Sequence, residues 1–168
     1  MKKIFLIITI MCATILSVVK AQNAPSKTAF NKTLQAYFDT KNALAKDNVT
    51  SANVSAKSLV AAISTFPVKS LSATQQILWK TQAEVIKKSA DAIVQQKDLK
   101  EQRKSFWALS SAMLKLTKEI KLNNYDVYVQ YCPMAKKSWL NEVEDVQNPF
   151  YGSMMYDCGE VTETIAKK

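Results

Sequence analysis

The sequence predicts an all-α protein, an antiparallel up-down four-helix bundle that carries a short, strand- and loop-rich C-terminal segment. Three observations predict it. Residues 22–122 hold no glycine and only two prolines, Pro25 and Pro67, both where breaks between elements are expected. Within that stretch, four segments repeat apolar residues at the three- and four-residue spacing that lines one face of a helix. The last quarter differs in kind. YCPMAKKSWLNEVEDVQNPFYGSMMYDCGEV, residues 131–161, holds both glycines of the chain, two of four prolines, two of three cysteines and three of six methionines. Backbone punctuation and sulfur chemistry are therefore concentrated outside the helical part.

The chain opens with Lys2 and Lys3, an apolar run from Ile4 to Val19, and the small-residue pattern Val19-Lys20-Ala21. This predicts a signal peptide over residues 1–21, cut after Ala21, and an exported protein, periplasmic or secreted. An uncleaved anchor is the alternative, but an apolar run of about 16 residues falls short of the roughly 20 needed to span a bilayer. Cys12 lies inside the run and is discarded with it. The mature chain, 22–168, is one domain: a helical scaffold over 22–122 and a Cys/Met segment over 123–168.

The first helix, about 27–46, carries Phe30, Leu34, Tyr37, Phe38 and Leu44 on one side. The second, about 51–66, places Ala52, Ala56, Leu59, Ile63 and Phe66 in line and stops at Pro67, which cannot continue a helix. The third, about 73–96, opens on Ser72-Ala-Thr-Gln75, a capping-box pattern, and carries Trp79, Ala83, Ile86, Ala90 and Ile93. The fourth, about 99–121, is capped by Asp98 and carries Phe106, Leu109, Met113, Leu116 and Ile120. Met113, Trp79 and Trp107 are assigned to the core. Short connections and alternating three/four spacing favour antiparallel neighbours at shallow angles. After Asn123-Asn124, the run Tyr125–Tyr131 alternates as a strand does. A loop-rich stretch follows, then a last short helix over Glu160–Lys168, the whole segment lying against one end of the bundle.

Composition excludes much chemistry. The chain has no histidine, so neither a Ser-His-Asp nor a Cys-His nucleophile can be built, and no His-containing zinc site. Signal cleavage removes three lysines and no acid, taking the formal charge from +9 to +6. The remaining excess is scattered lysine with a single arginine, Arg103, which predicts a solvated surface and no nucleic-acid partner. Glu142, Glu144 and Asp145 read as a solvated acidic face beside Lys136 and Lys137. No enzyme activity is expected, and no stable membrane anchor after cleavage.

Two sulfur clusters remain. Cys132-Pro133-Met134 sets a thiol and a thioether two residues apart on a stiffened chain, and Met154 and Met155 precede Cys158 by four and three residues. Thiolates and thioethers are soft ligands that select Cu(I) and Ag(I). Gly152 and Gly159 would allow close backbone approach beside each sulfur group, and Trp139 with the tyrosines, Tyr151 among them, would wall the site from water. The alternative is a Cys132–Cys158 disulfide in an oxidising compartment. It would close a loop worth about 3 kcal/mol by chain entropy, and the methionines would serve only as packing. Both readings stand on the residues alone.

The blocks VYVQYCPMA, SWLN and QNPFYGSMMYDCGEV resemble the signature of an uncharacterised bacterial family of domains of unknown function, number 3347. The resemblance runs from about Phe30 to the C-terminus. One departure is Phe150, where Tyr is expected in Asn148-Pro149-aromatic-Tyr151-Gly152. Members of the family resemble small exported proteins, and the domain is also found fused to periplasmic adaptor subunits of heavy-metal efflux pumps. The resemblance therefore implies copper or silver handling, with ligand roles for Cys132, Met134, Met154 or Met155, and Cys158. A heavy-metal efflux protein or metallochaperone is the implied partner. The competing reading is a disulfide-stapled structural or interaction module without metal.

Overall fold

A computed structural model of the chain describes residues 24–168 in full. The expected signal peptide, its cleavage after Ala21 and Cys12 lie outside those residues. Four helices, α1 (Lys2–Ala45), α2 (Val49–Ser64), α3 (Ala73–Gln95) and α4 (Leu99–Ile120), precede three strands. The strands are β1 (Val127–Cys132), β2 (Lys137–Asn141) and β3 (Glu160–Ile165). Among the described residues, no helix is long and apolar enough to cross a membrane.

The helical stripes are the core. Phe30, Leu34, Tyr37, Phe38 and Leu44 of α1 are wholly buried, as are Leu59 of α2, Ile86 and Ile93 of α3, and Phe106, Leu109, Met113 and Leu116 of α4. Phe66 stacks on Trp79 with ring centroids 3.7 Å apart, closing the α2–α3 end of the core. The predicted caps are present. The Ser72 side chain accepts from the Gln75 N–H in a full capping box, and Asp98 accepts from the N–H groups of Lys100 and Glu101. Each supplies partners to donors that a helix N-terminus leaves unpaired. Asn48 performs the same service for Ser51, so α2 begins at Val49, two residues earlier than the apolar pattern indicates. Pro25 lies inside α1 rather than at a break; its fixed φ suits a helix, but it removes one backbone donor and its ring crowds the preceding turn.

Three expectations are corrected. Trp107 is 51% exposed and not core. It follows Phe106 by one position, which turns it about 100° away from the buried stripe. The tail forms strand β3 and not a helix, because Val161, Thr162, Thr164 and Ile165 are β-branched and find an open strand to pair with. The stretch after Cys132 also contains a strand, β2, which returns through a tight turn at Pro133–Lys136 to pair with β1.

The sheet is antiparallel in the order β2-β1-β3. It lies along the flank of the helices between α1 and α4, not at one end. Consecutive helices pack on one another, while α1 and α4 meet sparingly and the sheet bridges them. The Tyr37 hydroxyl accepts from the Leu140 N–H at 3.0 Å. The Ser110 hydroxyl donates to the Ser138 carbonyl at 3.3 Å. Asn31 in α1 donates to the Leu122 carbonyl and accepts from the Asn124 N–H, fixing the chain where it leaves α4.

Candidate functional site

β1 ends at Cys132, and the turn behind it folds back over the sulfur. The Lys136 N–H bonds the Cys132 carbonyl at 2.8 Å, with Lys136 itself in the left-handed region at φ 52°. The Ala135 N–H reaches the Cys132 Sγ at 3.4 Å. On the other side of β1, Tyr131 lies opposite Glu160 of β3, so Cys158 arrives diagonally across from Cys132. The two sulfurs are 3.3 Å apart, and both cysteines are free. Cys132 is fully buried and Cys158 half-buried.

This contact polarises the pair. Burial alone would push the Cys132 thiol up, but the Ala135 N–H, the Cys158 thiol, the Met134 N–H and the Asn148 side chain outweigh it, and its pKa falls below the ordinary value. Cys158 moves the other way, chiefly because its S–H donates to Cys132, with burial and the neighbouring charge adding to the rise. The first proton therefore leaves from Cys132, and the second is retained between the sulfurs.

Asn148 organises the loop that delivers Cys158. Wholly buried, its side-chain nitrogen donates to the Cys158 carbonyl at 2.9 Å. Its Oδ1 accepts from the N–H groups of Phe150 and Tyr151. Trp139 of β2 is buried against Phe150 edge to face, with centroids 6.0 Å apart. Its ring also backs Gly159, where a Cβ would fall 3.0 Å from the indole and 2.9 Å from the Tyr131 carbonyl. Gly159 thus permits the close approach expected beside Cys158.

Gly152 serves a different purpose from the one expected of it. At φ +59° it sits against a clasp between α1 and α4, and a Cβ there would fall 1.9 Å from the Asp47 carboxylate. Asp47, at the end of α1, pairs with the Arg103 guanidinium of α4 and accepts from the Ser153 N–H and hydroxyl. Arg103 also donates to the carbonyls of Leu44 and, at 3.0 Å, Pro149. The single arginine of the sequence was the only available signal for this clasp. Hydrogen bonding from Ser153 lowers the Asp47 pKa against some burial, with Arg103 adding to the effect. A carboxylate depressed in the fold contributes stability above its unfolded pKa and loses it as pH falls through its folded value. Asp47→Asn is therefore expected to cost about 1 kcal/mol near pH 7, a cost that shrinks in acid as the pH falls through the depressed folded-state value. Urea unfolding of the two proteins from pH 7 into acid checks it.

The sequence-predicted ligands do not all converge. Cys132 and Cys158 are brought together, with Asn148, Trp139 and Gly159 around them. Met134 and Met154 are instead 64% and 75% exposed. They line an open cleft of about 410 Å³ with Lys100, Lys104, Lys137 and Tyr151. Lys137 Nζ sits over the Phe150 and Trp107 rings at 5.0 and 5.4 Å from their centroids. Met155 is half-buried and touches the pair through its backbone, its carbonyl accepting the Cys158 N–H. Pro133 is exposed in the turn. Among the described residues, no group of three or more Cys, Asp or Glu side chains could hold a metal ion. The arrangement offers two soft sulfur donors and no carboxylate cluster.

Neither the curated proteins nor the solved structures give a significant match to the chain. A sequence model of DUF3347, described as a protein of unknown function, matches residues 33–125. The match begins within α1 and ends just ahead of β1, so both cysteines lie outside it. Spanning more than half of the sequence and nearly all of the described helical scaffold, it makes this chain a member of the DUF3347 family.

Proposed function

We propose that this is an exported soft-cation binding protein. It captures Cu(I) or Ag(I) between the Cys132 and Cys158 sulfurs, and sequesters the ion or passes it to a heavy-metal efflux or metallochaperone partner. The observation that carries the reading is the contact of two free thiols at 3.3 Å, one of them inclined to ionise. Soft ions bind thiolates, and a lowered thiol pKa reduces the proton competition that opposes binding. Metal–sulfur bonds of about 2.3 Å on opposite sides of an ion need more room than the pair now leaves. Capture therefore displaces Cys158, the less buried partner at the end of a loop. Lys100, Lys104 and Lys137 repel a bare cation and favour an anionic donor, with Met134 and Met154 as soft contacts at the cleft. The up-down order of the four helices belongs to the same reading, supported by the short connections between them.

The same contact favours a second reading, a Cys132–Cys158 disulfide that staples β1 to the segment before β3 in a module that binds a protein partner. Native mass spectrometry of protein isolated from the periplasm without reductant separates the two. Two free thiols and one tightly held Cu(I), lost in the C132S/C158S double variant, support metal capture. A species about two hydrogens lighter that ignores copper even after mild reduction supports the staple and ends the metal reading.

A further inference from the structure

The lysine-rich composition reads as a solvated surface, yet Lys41 of α1 is fully buried. Its amine donates to the side-chain carbonyls of Asn141, across 100 residues of sequence, and of Gln147. Glu142 Oε2 lies 3.1 Å from the Nζ, although it accepts no hydrogen bond among the described residues. Tyr37, Phe38 and Leu44, all wholly buried, flank Lys41 along α1. Burying an ammonium is costly unless it is well paired. Here the amine bonds two neutral amides and pairs with one partly exposed carboxylate, so burial still outweighs its pairing.

We propose that Lys41 and Asn141 join in an intramolecular isopeptide bond, with Glu142 as the proton carrier. Three features support it. Asn141 is held rigidly, its Nδ2 donating to Gln130 Oε1 at 3.0 Å and to the Asp145 carbonyl at 2.8 Å. Its Oδ1 also accepts from the Glu142 N–H at 3.1 Å, so charge developing on that oxygen as the lysine turns to attack meets a donor already in place. The amine is also available: burial pulls its pKa down to about 8, against the opposing pull of Glu142, so free amine exists near neutral pH. Gln147 is only half-buried and lacks comparable restraint, which selects Asn141 as the acyl group.

The reaction balances without an oxidant or cofactor. The ammonium first gives a proton to solvent by way of Glu142, whose partly exposed side chain releases it and is again a carboxylate. The Nζ lone pair then attacks Asn141 Cγ, and the carbonyl π electrons move to Oδ1. The attacking nitrogen loses a proton to the Glu142 carboxylate, which delivers it to Nδ2. As the carbonyl re-forms, the Cγ–Nδ2 bond breaks and ammonia leaves, so one C–N bond replaces another. Placing a nucleophile, an acyl group and a base together in a site from which solvent is largely excluded supplies the proximity such a slow reaction requires.

The test is mass spectrometry of the full chain as purified. The cross-linked protein is expected about 17 Da below its sequence mass, the loss of ammonia. Cyclisation of an N-terminal glutamine loses the same mass, so the deciding readout is a branched peptide joining Lys41 to Asn141 by fragmentation. Lys41→Arg and Asn141→Ala should yield no branched peptide. Glu142→Gln, confirmed folded by circular dichroism, should form it at least tenfold more slowly. If folded wild-type protein shows no branched peptide after days at pH 7 and at pH 9, the proposal fails. A bond to Gln147 would overturn the assignment of Asn141.

Discussion

Trp139→Ala is expected to destabilise the protein by about 3–5 kcal/mol, among the largest effects of any single substitution outside the helical core. The residue is wholly buried and stands between two parts of the molecule. On one side it meets Phe150, whose ring lies 5.7 Å from that of Phe106 in α4. On the other it backs the Gly159 segment that carries Cys158. Removing the indole empties a space that neither the strand nor the helix can collapse to fill. The conservative change separates packing from polarity. Trp139 Nε1 has no hydrogen-bond partner among the described residues, so Trp139→Phe gives up no such bond and should cost about 1–2 kcal/mol, from lost volume alone. Denaturant unfolding of the three proteins measures this directly. Equal losses for Phe and Ala would mean that the indole nitrogen has a partner and that the packing account is incomplete.

The helices were legible because each signal is local. Stripe spacing, the Ser72 and Asp98 caps and the stop at Pro67 act within a turn or two of chain, and tertiary packing confirms them without changing them. The C-terminal segment was not legible in the same way. Its strands are five or six residues long, and β3 exists because β1 offers it an edge, a fact that no window along the tail contains. The same limit applies to the site. The spacing within Cys132-x-Met134 and Met154-Met155-x-x-Cys158 gives proximity along the chain but not direction. A turn over Cys132 buries the thiol while the methionine two residues on faces solvent. Lys41, Glu142 and the Asp47–Arg103 clasp looked like ordinary surface charges. Lys41 is buried only once the sheet covers the flank between α1 and α4, and the clasp closes only once the 149–153 loop meets both helices.

Loss of either sulfur is expected to weaken Cu(I) binding by about 10²–10⁴-fold, because the second ligand acts at the effective concentration set by a folded chain. The two single variants should nonetheless differ in a property that does not involve metal. In the reduced wild-type protein, Cys132 ionises first and Cys158 then retains its proton against that neighbouring charge. Cys158 is the more accessible thiol but a poor nucleophile near neutral pH, since only a thiolate attacks an alkylating reagent. In Cys132→Ser the retained proton loses its sulfur acceptor. Cys158 should then alkylate several-fold faster at about pH 8, where more of an ordinary thiol is ionised. In Cys158→Ser, Cys132 keeps its N–H donors but also its burial, and should stay slow. Timed iodoacetamide labelling followed by peptide mapping reads both rates. Faster labelling of Cys158 in Cys132→Ser would support a shared proton, the property that suits the pair to exchange it for a soft cation. An unchanged rate would mean that the sulfurs are neighbours without being coupled, and the case for metal capture would lose its electrostatic half.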